Sequence, residues 1–373
     1  MNKGPCFAGV EMHIDLHALQ ENYRKLATIS RPAECGAAVK ANAYGLGMKQ
    51  CATALWEAGC RTFFVALTDE ACQLRAVLPD ASIYVLNGLA PGAANTLADG
   101  NLRPVLASRE QVDEWVGYCR EQGAKLSAAL HIESGINRLG LTAAEVAALA
   151  ETPDIFDGFE LSLVISHLAS ADEPDNPINP AQIDEFNRLR AMLPAAPASL
   201  ANSSGTMCGK DYHFDLTRPG IALFGSHLHP SALTDPMKTV VRLYGTVMQS
   251  RHIAKGETVG YSTTWKAERP SRIAVIAAGY ADGYQRALSF DPAEPPARVW
   301  IDGHYAPVVG RVSMDMITVD VTDIPDKIAQ RGDRAELLGD HISVDELAHR
   351  AGTISYEIFT GLGLRAKRVY SPD

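Results

Sequence analysis

Eight short apolar runs punctuate the first two thirds of the chain, near 36 to 39, 62 to 67, 82 to 87, 102 to 107, 126 to 132, 159 to 166, 198 to 201 and 219 to 224. Between them lie segments whose apolar positions follow the repeat of a half-buried helix. One runs from Arg109 to Tyr118 behind Ser108, a capping residue, and closes at Gly123. Another opens at Thr142 with Glu145 three residues on, the spacing of a capping box. Strands alternating with helices in this number predict a (β/α)8 TIM-type barrel. A doubly wound open sheet would want a G-x-G-x-x-G turn behind its first strand, and the sequence has none there. Ahead of the barrel, residues 9 to 16 alternate as one strand, and Leu19, Tyr23, Leu26 and Ile29 then keep helical spacing. From about residue 238 a period of two takes over among Gly and Pro turns, as in 239 to 248 and 273 to 276, with helical spacing again at 344 to 351. The chain therefore reads as an α/β barrel over 10–237 and a C-terminal mostly-β domain over 238–373, which an N-terminal strand within 1–16 joins.

Two domains suit a length of 373 residues, and 46% hydrophobic with 21% charged content suits a soluble protein with a large core. A net charge of -10 speaks against nucleic acid or an anionic membrane surface as partner, because both need a basic face. A small anionic ligand is still allowed, since only the field of its own site matters. The seven cysteines, Cys6, Cys35, Cys51, Cys60, Cys72, Cys119 and Cys208, form no C-x-x-C pair and no Cys/His set with zinc spacing. Reduced thiols in a cytoplasmic protein without a metal are expected. Glu11, His13 and Asp15 interrupt any signal-peptide core, and no stretch approaches the ~20 apolar residues of a membrane span.

The sharpest chemistry lies in Ala37-Ala38-Val39-Lys40-Ala41-Asn42-Ala43-Tyr44-Gly45-Leu46-Gly47, an apolar run that delivers an amine. A free lysine titrates near 10.4 and is a poor nucleophile at neutral pH, so an amine carried into a pocket by a buried strand suits Schiff-base chemistry. On this stretch alone, a lysine that snorkels into solvent is the open alternative. Barrel chemistry sits at the carboxyl ends of the strands. Those ends hold Lys40 and Tyr44; His131, Glu133 and Arg138; Ser166 and His167; Asn202 and Ser203; then Arg218, Gly220 and Ile221. One rim thus gathers a lysine, a tyrosine, histidine, two arginines, an Asn-Ser pair and flexible glycines, which is hard to explain as solvated surface.

The segment AVKANAYGLG at 38 to 47 resembles the lysine motif of alanine racemases, pyridoxal-phosphate enzymes built from a barrel and a β domain, and similar motifs recur along both domains. The resemblance implies pyridoxal 5'-phosphate as cofactor and Lys40 as its aldimine lysine. It implies a phosphate held by Tyr44, Ser203 beside Asn202, the backbone N–H groups of Gly220 and Ile221, and Tyr356. From the residues alone, the Asn-Ser and Pro-Gly pairs are equally ordinary turns. Arg218 would face the pyridine nitrogen, and a cation that keeps its proton disfavours protonating that nitrogen, so the ring withdraws electrons weakly and reprotonation at Cα is favoured over transamination. His167 would join Arg218 in a hydrogen-bonded relay. Racemisation needs a base on each face of Cα: Lys40 serves one, and the tyrosine matched by Tyr261, in Val259-Gly260-Tyr261-Ser262-Thr263-Thr264-Trp265, serves the other from the second subunit of a homodimer. Without the resemblance Tyr261 also reads as an interface or core aromatic. The Met314 N–H and Arg138 would meet the substrate carboxylate, Tyr284, second tyrosine of Gly279-Tyr280-Ala281-Asp282-Gly283-Tyr284, would narrow the access passage, and Asp315 would bridge to the partner barrel.

One position departs from the pattern. His131 stands where many members carry a lysine that becomes carbamylated, and imidazole forms no carbamate, so the orientation of Arg138 falls to a bound anion or to Glu133. The activity implied is interconversion of L- and D-alanine, supplying D-alanine for peptidoglycan; the same parts would serve a racemase of other amino acids such as serine. A related ornithine-type decarboxylase would want a cysteine in the β domain, and the last one is Cys208. A non-catalytic pyridoxal-phosphate carrier has no use for the β domain carrying Tyr261, and a cofactor-free barrel aldolase has none for a phosphate cradle.

Overall fold

A computed structural model describes residues 9–227 and 236–371; Cys6, the first residues of the N-terminal strand reading and the last two of the β domain lie outside the described residues. The chain divides into two compact units, one of residues 19–223 with 227–238, the other of 1–18, 224–226 and 239–373.

The first unit is the barrel. Ala37–Ala38, Thr62–Val65, Ser82–Val85, Arg103–Leu106, Ser127–His131, Glu160–Ile165 and Ala198–Ser199 pair in parallel in chain order. Leu216–Thr217 closes the ring, parallel to Glu34–Cys35, which runs through Gly36 into Ala37–Ala38. The Gly36 and Ala38 amides donate to Thr217 O and Pro219 O, both at 2.9 Å, and the Asp215 and Arg218 amides donate to Ala198 O and Ala201 O at 3.0 and 2.9 Å. Gly36 permits this closure, since a Cβ there would press on the Thr62 carbonyl at 2.9 Å. The eighth strand therefore stops at Thr217 instead of running over 219 to 224. Pro219 has no N–H for a ladder, Gly220 gives its own to Ser203 Oγ, and Ile221–Phe224 coils into a 3-10 turn.

Inside the barrel, Ala38, Phe64, Tyr84, Val105, Ala129, Leu163, Ile165 and Leu216 form one packed cluster, in which small Ala38 and Ala129 leave room for Phe64 and Tyr84. Outside it, Ser108 accepts from the Gln111 amide to start Arg109–Gln122, and Gly123 ends that helix in the left-handed conformation; Thr142 and Glu145 form the capping box of Ala143–Ala150.

The second unit is mostly β. Its long strand Val241–Ile253 pairs antiparallel with Val10–Asp15, Ser271–Ala277 and Arg334–Leu338. Lys367–Ser371 lies parallel to Val10–Asp15, and Ile317–Asp320 pairs with Ser271–Ala277. The hairpin of Arg298–Ile301 and His304–Pro307 joins Arg334–Leu338, and Val344–Arg350 and Ser355–Thr360 are its helices. Among the described residues, no helix is long and apolar enough to cross a membrane.

Candidate active site

Lys40 leaves the first barrel strand on an unusual turn. Ala41, Asn42, Ala43 and Tyr44 all have left-handed backbone, with φ of 51°, 55°, 53° and 56°, and Gly45 continues it at 86°. Non-glycine residues rarely adopt this region because Cβ crowds the following carbonyl. The turn is held internally by the Ala43 amide on Val39 O at 2.8 Å and the Gly45 amide on Ala41 O at 2.7 Å, and Asn42 Oδ1 accepts from the Met48 amide at 2.8 Å. Its reversed hand carries Tyr44 back into the barrel, where it is buried and its hydroxyl reaches Gly220. A Cβ on Gly220 would overlap that hydroxyl, so any larger residue here would push the Tyr44 phenol aside.

Opposite stands Ser203, whose Oγ accepts from the Gly220 and Ala222 amides at 2.9 and 3.2 Å. Asn202 is committed to capping Ser203–Cys208 through the Gly205 amide at 2.9 Å, so its side chain fixes the segment that presents Ser203. Two hydroxyls, main-chain amides and a position without Cβ make a donor set suited to a phosphate.

The rim is strongly basic, and burial sets the protonation states. The Lys40 ammonium is disfavoured, first by desolvation and then by Arg138 and Arg218, with Glu70 partly opposing. Burial and then Arg218 push His131 down to about 4, and His167 is held well below 6.5 by burial followed by Arg218, Arg138 and Lys40. Arg218 is only 6% exposed, and burial lowers it to about 10, which leaves it charged at neutral pH. It donates to Ser199 Oγ and Ser166 O, each at 2.6 Å, and its guanidinium lies 5.7 Å from the Phe64 ring centre. Phe64 stacks on Tyr84 at 5.3 Å, and Arg103 covers Tyr84 at 5.3 Å. Hydroxyl, carbonyl and aromatic face thus stabilise the cation without a bonded carboxylate.

The expected contacts are made differently here. Among the described residues no hydrogen bond joins His167 to Arg218, whose guanidinium donates to Ser199 and Ser166. Glu133 Oε1 accepts from the Gly135 and Ile136 amides of its own loop, while Oε2 and both ring nitrogens of His131 are buried without partners. Asp315 pairs with Arg365 at 2.6 Å.

Tyr261, Tyr284, Met314 and Tyr356 belong to the β unit. Tyr261 is 72% exposed on the turn Tyr261–Thr263, and Met314 is 53% exposed. Tyr284 is 1% exposed, its hydroxyl has no partner, and burial raises its pKa. It cannot line a passage from inside this unit; Tyr280 of the same motif, 43% exposed, is the tyrosine displayed. The Tyr280 and Ala281 amides donate to Ser313 O and Met314 O, both at 3.1 Å. Arg365 clamps the two segments, gripping Asp282 at 2.7 and 2.8 Å as well as Asp315. Tyr356 is half-buried on Ser355–Thr360. Sequence reasoning gave no role to Glu70, Ser166, Ser199 and Phe64, which support the barrel rim, or to Tyr280 and Arg365, which shape an edge of the β unit; Glu70 lies just past the second barrel strand, where the carboxyl-end rule points.

A barrel whose rim presents a desolvated lysine before a phosphate-type cradle defines an enzyme of the lysine-dependent, phosphate-anchored cofactor class. The alanine racemase N-terminal domain matches residues 14–228 and the alanine racemase C-terminal domain matches 240–370, and the chain belongs to the alanine racemase family. An alanine racemase of Methylobacterium sp. (strain 4-46) is 47% identical over 97% of this chain and 98% of its own. Agrobacterium fabrum has a biosynthetic alanine racemase at 42% identity and a catabolic one at 44%, covering 97% of this chain and 94% and 92% of theirs. The crystal structure of alanine racemase from Bartonella henselae with covalently bound pyridoxal phosphate superposes with a TM-score of 0.93 at 42% identity, covering 98% of this chain and 100% of that one.

The buried histidine gives an acid-side prediction. An unfolded histidine titrates near 6.5 and His131 near 4, so between these values the unfolded chain binds more protons and folded stability falls as pH falls. By pH 4 the loss from this one group reaches roughly 2–3 kcal/mol. His131→Asn is expected to lose less melting temperature between pH 7 and pH 4 than the unmodified chain. Parallel melting curves for the two across that range would refute the assignment.

Proposed function

We propose that this chain is a pyridoxal-phosphate-dependent racemase that interconverts L- and D-alanine as a homodimer with shared sites. The observation that carries the proposal is one turn joining a desolvated amine, Lys40, to a hydroxyl and amide cradle at Tyr44, Ser203 and Gly220. Family membership supports it, as does the cofactor covalently bound in the Bartonella henselae relative.

Tyr44, Ser203 and the Ile221 N–H would hold the phosphate, with the Gly220 N–H and Asn202 fixing Ser203 and Tyr356 adding its phenol. Bound there, pyridoxal phosphate supplies the electron sink that loosens the Cα proton of an amino acid. Lys40, whose charged form is disfavoured, takes or returns that proton on one face. Tyr261 of the second copy takes or returns it on the other. Arg218 would present a fixed positive charge to the ring of the bound cofactor, and His167, held neutral, would add no second one. Arg138 and the Met314 N–H orient the substrate carboxylate, and Tyr280, displayed where Tyr284 is buried, narrows access. We place the enzyme in the cytoplasm, supplying D-alanine to peptidoglycan; the free thiols of Cys35, Cys51, Cys60, Cys72 and Cys119 support that compartment.

Lys40→Ala is expected to abolish both the visible absorption of the lysine-bound cofactor and racemisation in either direction; an unchanged spectrum would overturn the role of Lys40. An assay of D- and L-forms of the common amino acids with added cofactor should find alanine turned over fastest, and faster turnover of serine would reassign the substrate.

Tyr261→Phe should slow solvent-deuterium exchange from one enantiomer far more than from the other, and equal losses would count against two bases. Mixing Lys40→Ala with Tyr261→Phe subunits leaves one intact site in each heterodimer, so activity should return; its absence would argue against sharing.

A further inference from the structure

Four left-handed residues in a row, none of them glycine, cost about 1–2 kcal/mol each relative to the right-handed form. Such a turn persists only where its surroundings over-determine it. Its internal bonds leave the first amide, that of Ala41, to an outside acceptor, and that acceptor is Glu70 Oε1 at 2.6 Å. The other oxygen, Oε2, accepts from the Ala66 and Leu67 amides at 2.8 and 3.2 Å. Glu70 sits in the first turn of Thr68–Val77, directly behind the second barrel strand. One carboxylate therefore staples the exit of the first strand to the exit of the second, through bonds of the short, charge-assisted kind. The same group opposes the Arg138 and Arg218 charges at Lys40; His167 is the other titratable neighbour.

We propose that Glu70 is the positioning residue for Lys40: it fixes the left-handed turn that aims the amine and sets a negative charge toward it. The role rests on Lys40 being the reactive amine of the proposed function. Glutamine keeps the length but has a single acceptor oxygen, and its NH2 would face amide donors, so one anchor is lost together with the charge. Aspartate keeps the charge but is one methylene too short to span both strand exits.

Each full-length variant, freed of cofactor, is acylated with an amine-directed reagent across pH, and the labelling of Lys40 is followed by peptide mass mapping. In Glu70→Gln the Lys40 midpoint should fall by about half a unit or more, because the anion that favours its charged form is gone. The dissociation constant for pyridoxal phosphate should rise about tenfold or more through misplacement of the turn, with the melting temperature within a few degrees of the unmodified chain. Glu70→Asp should keep the midpoint close to that of the unmodified chain and still weaken the cofactor. An unchanged midpoint and affinity in Glu70→Gln would overturn the role, as would losses in both variants that only track melting temperature. If the glutamine variant does not fold, unchanged affinity in Glu70→Asp overturns it. Failure of the unmodified chain to bond pyridoxal phosphate at Lys40 would sink the proposed function itself, whereas a bonding chain indifferent to Glu70 would sink this role alone.

Discussion

The site depends on a reversal of backbone hand directly after Lys40. The left-handed turn brings Tyr44 into the barrel beside Gly220, where a Cβ would crowd its hydroxyl, so an amine and a phenol leave the same five residues. Strain of this kind collects where function fixes geometry more tightly than local propensity allows. Here it is supported from outside by Glu70 and Asn42, both using side-chain oxygens to accept main-chain N–H groups.

The second constraint is charge. Lys40, His131, Arg138, His167 and Arg218 crowd one end of a barrel whose interior is apolar. In a low dielectric not all of them can carry charge, and the groups that release protons most easily do so. His131 and His167 become neutral, the lysine is biased toward its free amine, and Arg218 keeps its charge. For Arg218 that charge is spread over Ser199, Ser166 and the Phe64 face, so it is held in place without an acid that would neutralise its field. His131, held neutral, supplies no negative charge beside Arg138, and Glu133 Oε1 is taken by the amides of its own loop.

Much of this was legible before any coordinates. Parallel strands buried on both faces write themselves as apolar runs, so the barrel, Lys40 and Tyr44 could be read directly. The last strand was misplaced because Pro219-Gly220 looks like the start of an apolar run, while the ladder ends two residues earlier. The reversed turn left almost no trace: Ala-Asn-Ala-Tyr contains only Asn42 as a residue that tolerates positive φ. Glu70 acts on a backbone amide 29 residues away, and Arg365 on a carboxylate 83 residues away, distances over which one sequence carries no signal. Tyr280 and Tyr284 share a motif, and only burial separates them.

The two units expose their chemistry differently, and that difference bears on how a complete site is made. Of the barrel groups, Tyr44, His131, Ser203 and Arg218 are buried, as a cofactor pocket requires. Tyr261, Met314 and Tyr280 are exposed on the β unit yet are not carried by loose loops. Arg365 ties Asp282 to Asp315, and Gly279 has no space for a Cβ against the carbonyls of Ser313 and Met314, so Tyr280 and Met314 are displayed on one rigid edge. Holding exposed side chains in fixed positions lowers the ordering cost of whatever they meet. The second-copy site proposed above would draw positional accuracy from such a display, because its exposed groups are fixed before anything meets them.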